Sequence, residues 1–175
     1  DWDCEALDEF INKTVRAQLE SKIRPIKMLL PIAQAWLINR QRKARAFDIG
    51  EQHYDIGNDL YTKMLDSRMI YTCGYWKDSD NLEDAQVAKL DLICRKLNLQ
   101  PGMRVLDIGC GWGSFAGYAA QEYGASVVGI TVSKEQIALA QKRYQGKNIE
   151  FRYQDYRDVS ESFDRIVSVG MFEHV

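Results

Sequence analysis

One stretch constrains the fold more than any other. Val105–Gly113 reads VLDIGCGWG, a branched apolar run that ends in glycine at every second position. It predicts a buried strand over Met103–Ile108, a sharp turn through Gly109, Gly111 and Gly113, and a helix over Ser114–Glu122. Glycine suits such a turn because it adopts left-handed backbone angles at little cost. A turn without side chains also lets backbone N–H groups and a helix N-terminus come close to a ligand. The chain then keeps the same rhythm. Ser126–Thr131 (SVVGIT) reads as a second strand, and Ser133 caps a helix that runs to Tyr144, with Gln136 at capping-box spacing. Ile149–Tyr153 and Arg165–Val169 read as third and fourth strands. This alternation predicts an α/β fold with a doubly wound parallel sheet, whose ligand site lies at the carboxyl ends of the strands.

Upstream, Asn81 is placed to cap a helix over Leu82–Leu97 with apolar Ala85, Ala88, Leu92, Ile93 and Leu97. Residues 66–81, with Tyr71, Tyr75 and Trp76 among turn formers, read as an ordered loop. Glu51–Leu65 reads as a loop that enters a short helix near Gly57–Asn58. Residues 3–20 and 25–45 read as two further helices; Pro25 suits a first turn, and Pro31 implies a later start or a kink. None of the 12 glycines precedes Gly50, so a boundary is expected near residue 48, between a helical region over 1–47 and a domain over 48–175. No internal repeat is visible.

A net charge of −2, from 23 basic and 25 acidic residues, argues against a general nucleic-acid binder. That small sum hides a division: −4 over residues 1–21, +7 over residues 22–47 and −5 over the remainder. The basic stretch holds Lys22, Arg24, Lys27, Arg40, Arg42, Lys43 and Arg45 around apolar residues that include Trp36. Two readings fit it equally: a helix at an anionic membrane surface, and a packed helix with a solvated basic end. No apolar run reaches the ~20 residues of a spanning helix, and no secretion signal is expected. Cys4, Cys73, Cys94 and Cys110 are scattered without a C-x-x-C pair, so neither a disulfide framework nor a metal site is expected.

The glycine turn does not suit a nicotinamide dinucleotide. Its spacing is G-x-G-x-G, with Ser114 where a third glycine would stand, and the second strand ends in Gly129-Ile130-Thr131 without a ribose-binding acid. With Asp107 ahead of it, the turn instead resembles the first motif of S-adenosylmethionine-dependent methyltransferases. A closer resemblance rests on six strings in order: HYDIGNDLY (His53–Tyr61), MIYTCGYW (Met69–Trp76), VLDIGCGWG, VVGITVSKEQ (Val127–Gln136), QDYRD (Gln154–Asp158) and FDRIVSVGMFEHV (Phe163–Val175). Together they resemble the cyclopropane-fatty-acyl-phospholipid synthase family from about residue 3 to the last residue. The mycolic-acid cyclopropane synthases are similar.

That resemblance implies a Rossmann-like class I methyltransferase sheet and methyl transfer to the cis double bond of unsaturated phospholipid acyl chains. It implies that Tyr71, Asp107, Gly109, Gly111 and Gly113 form the S-adenosylmethionine site. Thr131 and Gln136 would serve the ribose, their neutral hydroxyl and amide replacing the missing acid. Asp155 and Tyr156 would lie beside the adenine. Cys73 and Glu173 match positions that help hold a bicarbonate ion, and the family's remaining bicarbonate ligands, a His and a Tyr, would follow Val175. The implied setting is cytoplasmic, peripheral at the inner face of the membrane, with unsaturated phospholipid as partner and a homodimer left open. The family's sheet has seven strands, so the four read here are expected to be its first part. The chain alone is then expected to bind cofactor weakly or to be inactive. Two alternatives stay open: another small-molecule N- or O-methyltransferase, and a module that only binds cofactor or lipid.

Overall fold

The computed structural model describes Glu9, Lys13, Arg16 and residues 58–172. The chain divides into two compact units, Asp1–Arg40 and Gln41–Val175. In the first, Glu9, Lys13 and Arg16 are helical, and Lys13 pairs with Glu9 across one turn at 3.5 Å. The rest of the two helices read over 3–20 and 25–45, the boundary near residue 48, Cys4 and Glu173 lie outside the described residues.

In the second unit the elements are α1 (Asn58–Met64), α2 (Leu82–Lys96), β1 (Arg104–Ile108), α3 (Ser114–Glu122), β2 (Ser126–Thr131), α4 (Lys134–Arg143), β3 (Ile149–Tyr153), a 3₁₀ turn (Tyr156–Asp158) and β4 (Arg165–Ser168). The four strands form one parallel sheet in the order β3-β2-β1-β4. Within the described residues, the helix and strand boundaries read from the sequence fall within a residue or two of these. Asn81 does cap α2, its side chain accepting from the Asp84 N–H at 3.0 Å.

Parallel strands need helical crossovers, and strand residues alternate between the two faces of the sheet. On one face Val105, Val127, Phe151 and Val167 pack with Leu90 and Cys94 of α2, Phe115, Ala116 and Ala119 of α3, and Ile137 and Ala140 of α4. On the other face Leu106, Val128 and Ile130 are buried with Ile108, Val159 and Phe163. The residues that α2 buries are Ala85, Gln86, Leu90 and Cys94. Ala88, Leu92, Ile93 and Leu97, apolar positions of the expected helix, are only half-buried. A polar glutamine thus takes a place in the buried face of α2.

Candidate functional site

The strand register brings the carboxyl ends of the sheet into one line. Ile108 stands beside Ile130 and Ser168, and Thr131 beside Tyr153. The segments that leave these ends carry most of the residues singled out by the sequence.

The turn after β1 has the backbone its glycines allow: φ is 78° at Gly109, 55° at Gly111 and 84° at Gly113. The N–H groups of Gly109 and Cys110 both donate to the Ile130 carbonyl, at 2.9 and 3.0 Å, which ties the turn to the end of β2. The three glycines face different surroundings. A Cβ on Gly113 would lie 2.5 Å from the Phe151 ring, and one on Gly109 would lie 2.8 Å from Met171. A Cβ on Gly111 would meet nothing within 4 Å. Gly109 and Gly113 therefore serve close packing as well as backbone shape, whereas Gly111 opens onto free space.

Two residues before the turn, Asp107 is buried, and its Oδ2 has no hydrogen-bond partner. Burial pushes its carboxyl up to about 7. An orphaned buried oxygen costs stability and points to a group that arrives from outside. It would suit the cationic amino acid portion of a ligand seated on the turn.

At the end of β2, the Thr131 hydroxyl donates to Gln136 Oε1 at 2.9 Å and accepts from the Ser133 N–H at 3.3 Å. The expected capping box is only half formed. Ser133 accepts from the Gln136 N–H at 3.3 Å, but the Gln136 carboxamide oxygen takes Thr131 as its donor. The fold thus brings Thr131 and Gln136 together as a neutral, mutually bonded pair at the end of β2.

Beyond β3, Asp155 is buried and its carboxylate accepts from the Arg157 backbone N–H at 2.9 Å, from Nε at 2.8 Å and from Nη2 at 2.6 Å. Those bonds shape the 3₁₀ turn and leave the neighbouring Tyr156 ring exposed. The Asp155 carboxylate is thus engaged within the chain, and Tyr156 is the more accessible of the two.

Tyr71 reaches the site through an aromatic chain. Its ring meets Tyr61 edge-on at 5.4 Å, and Tyr61 meets Trp112 at 4.8 Å. Trp112 sits between Gly111 and Gly113 and donates from Nε1 to Asn58 Oδ1 at 2.8 Å. A seven-residue helix such as α1 is marginal alone, so this contact helps hold it. Cys73 is exposed in the same loop, whereas Cys94 and Cys110 are buried thiols. Among the described residues, no group of His, Cys, Asp and Glu could hold a metal ion.

The family model described as mycolic acid cyclopropane synthetase matches residues 41–175. The chain belongs to that family. Among curated proteins, the cyclopropane-fatty-acyl-phospholipid synthase of Escherichia coli (strain K12) is 57% identical over 175 residues, covering 99% of this chain and 46% of that relative. The chain therefore spans about half the length of the curated synthase it matches. Among solved structures, mycolic acid cyclopropane synthase CmaA1 complexed with SAH and CTAB aligns with a TM-score of 0.70 at 39% identity, over 73% of this chain and 47% of that one. Coclaurine N-methyltransferase bound to N-methylheliamine and SAH aligns with a TM-score of 0.66 at 28% identity, over 93% of this chain and 50% of that one. The cyclopropane synthetase family thus has here the Rossmann-like sheet of class I methyltransferases.

Three contributors to this family member's site were not singled out from the sequence. Trp112 and Asn58 join the glycine turn to α1. Met69 is left-handed at φ 60° and buried against Tyr61 and Trp112. A tryptophan inside a glycine turn was the available signal for the first pair. Nothing local marks Met69, whose backbone is bent by the Asp66–Met69 turn.

Proposed function

We propose that this chain carries the cofactor-binding part of a cyclopropane-fatty-acyl-phospholipid synthase, which adds the methyl-derived carbon of S-adenosylmethionine to the cis double bond of an unsaturated phospholipid acyl chain. The observation that carries this reading is the glycine turn: Gly111 opens onto free space at the carboxyl edge, with the unpartnered Oδ2 of Asp107 two residues before the turn begins. The 57% identity to a synthase of that name supports the choice of substrate class.

Bound S-adenosylmethionine supplies an electrophilic methyl group. Gly109–Gly113 would receive its amino acid portion and Asp107 would balance positive charge there. Thr131 and Gln136 offer a hydroxyl and an amide to the ribose, and Tyr156 offers an exposed ring beside the adenine. Tyr71 and Tyr75 present aromatic faces on the loop, and such faces stabilise a nearby cation by ~0.5–2 kcal/mol. Cys73 and Glu173 are the residues proposed to hold a bicarbonate ion, which when bound offers a base. The setting proposed is cytoplasmic and peripheral to the inner face of the membrane, with unsaturated phospholipid as partner. No described helix is long and apolar enough to cross a membrane.

The test is calorimetric titration of S-adenosylhomocysteine into this chain and into Gly111→Ala. A methyl group at φ 55° is strained and enters the open space, so binding should weaken about tenfold or more. Equal affinity would remove the turn from the site. Methyl transfer by the longer protein to vesicles of unsaturated phospholipid, compared with amine acceptors, decides between cyclopropanation and N-methylation.

A further inference from the structure

The loop from Ile70 to Tyr75 alternates. Ile70 is buried and Thr72 and Gly74 are half-buried, whereas Tyr71, Cys73 and Tyr75 are exposed. Extended chain turns successive side chains to opposite sides, so the inner row determines how the outer row is presented. The inner row lies on α2. Gln86 Nε2 donates to the Thr72 carbonyl at 2.8 Å and to the Ile70 carbonyl at 3.5 Å. Lys89 Nζ donates to Thr72 Oγ1 at 2.5 Å and to the Thr72 carbonyl at 3.4 Å. The Tyr75 N–H donates to the Ala85 carbonyl at 2.9 Å, and a Cβ on Gly74 would stand 2.9 Å from the Ala85 Cβ. One turn earlier, Glu83 accepts from the backbone N–H and the hydroxyl of Ser67, at 2.6 and 2.7 Å.

We infer that Gln86 and Lys89 are positioning residues, which grip the Thr72 peptide against α2 and thereby turn Tyr71, Cys73 and Tyr75 together toward the cofactor and ion site. The inference rests on the site reading given above. Its support lies in what the grip costs. Gln86 is buried, and turning its amide nitrogen toward two carbonyls leaves Oε1 without a partner. Lys89 is half-buried, and burial pushes its ammonium down to about 8, with Cys73 and Asp66 opposing that fall. A leucine and a methionine would fill the same places on a packed helix without either penalty. Polar groups held at such a cost mark a place where loop geometry matters more than stability. Spacing also fits: Glu83, Gln86 and Lys89 recur every three residues on one side of α2.

The test compares the 175-residue chain with Lys89→Met, Thr72→Val and the double variant. Lys89→Met removes a desolvated charge and keeps the aliphatic stem, so its unfolding midpoint should hold or rise. Two readouts are taken: amide hydrogen exchange at Tyr75, and S-adenosylhomocysteine affinity by calorimetry. Each single substitution should speed the exchange and weaken binding about five- to tenfold, the scale of one charged hydrogen bond. The double variant should lose no more than the weaker-binding single variant plus a small increment, because both substitutions remove the same short Lys89–Thr72 hydroxyl bond and only the longer bond to the Thr72 carbonyl is separate. Unchanged exchange and affinity overturn the inference, and so do additive losses. A lowered midpoint that alone accounts for the lost binding would make Lys89 ordinary structural support, and overturns it too. A wild-type chain that fails to bind refutes the cofactor reading instead, and the exchange data then judge the grip by themselves.

Discussion

The two faces of the sheet are built on opposite terms. On one, Val105, Val127, Phe151 and Val167 are sealed beneath three helices, and the Phe151 ring fills the space left by the missing side chains of Gly113 and Gly129. On the other, among the described residues, Leu106, Val128 and Ile130 are buried with Val159, Phe163 and Ile108 around them, and Ile166 is 59% exposed. Charge rims that second face: Arg152 pairs with Glu150 at 2.7 Å, and both Arg152 and Arg104 pair with Glu161. Those guanidinium groups hold Glu161 down to about 2. Every charge in that rim is partnered and hydrated. Asp107 belongs to the helix-covered face, and it is there that a carboxyl is buried and left half unpartnered. Close packing and the buried carboxyl thus coincide on the face whose helices frame the glycine turn.

Substitutions can break this contrast. Phe151→Ala should have the largest effect, about 3–5 kcal/mol of lost stability by urea unfolding, because it empties the space over two glycines. A loss below about 1 kcal/mol would mean that the helix-covered face is not the tightly packed one. Asp107→Asn comes next and acts through pH. The folded carboxyl titrates near 7, whereas the unfolded one titrates in the usual carboxylate range. Between those values the fold keeps a proton that the unfolded chain releases, so this group's contribution is full at low pH and is lost as pH rises through 7. The variant should therefore be more stable than wild type at pH 8 and should lose that advantage by pH 4. Parallel stability curves across this range would show that Asp107 is not held in a proton-retaining site. Ile166→Ala should have the smallest effect, under about 0.5 kcal/mol, since its side chain already meets water. A cost near that of Phe151→Ala would erase the distinction between the faces.

Much of this was legible in the sequence. Strands and helices were readable because hydrophobic runs, caps and glycines agree along the chain; Asn81 and Ser133 cap helices as their side chains suggest. The glycine turn was readable because glycine adopts its three left-handed angles at the least cost. The neutral end of β2 was readable because no acid follows Gly129 there. What was hidden depends on tertiary partners. Gln136 satisfies capping-box spacing but bonds Thr131, five residues back and brought beside it by the end of β2. Gln86 and Lys89 resemble ordinary surface residues of a helix until the loop folds onto them. Asp155, a motif residue, turns out to be gripped by Arg157, and spacing alone cannot say which way either side chain turns.

Trp112 gives the turn an optical property. Its indole is 2% exposed, one residue from Gly111 on one side and from Gly113 on the other. Emission from a shielded indole shifts when the nearby dipoles change. In a variant that keeps Trp112 as its sole tryptophan, the fluorescence spectrum would register occupancy of the turn without an attached dye. The side chain that locks α1 onto the sheet is then also a gauge, built into the chain, of whether its neighbouring glycines have company.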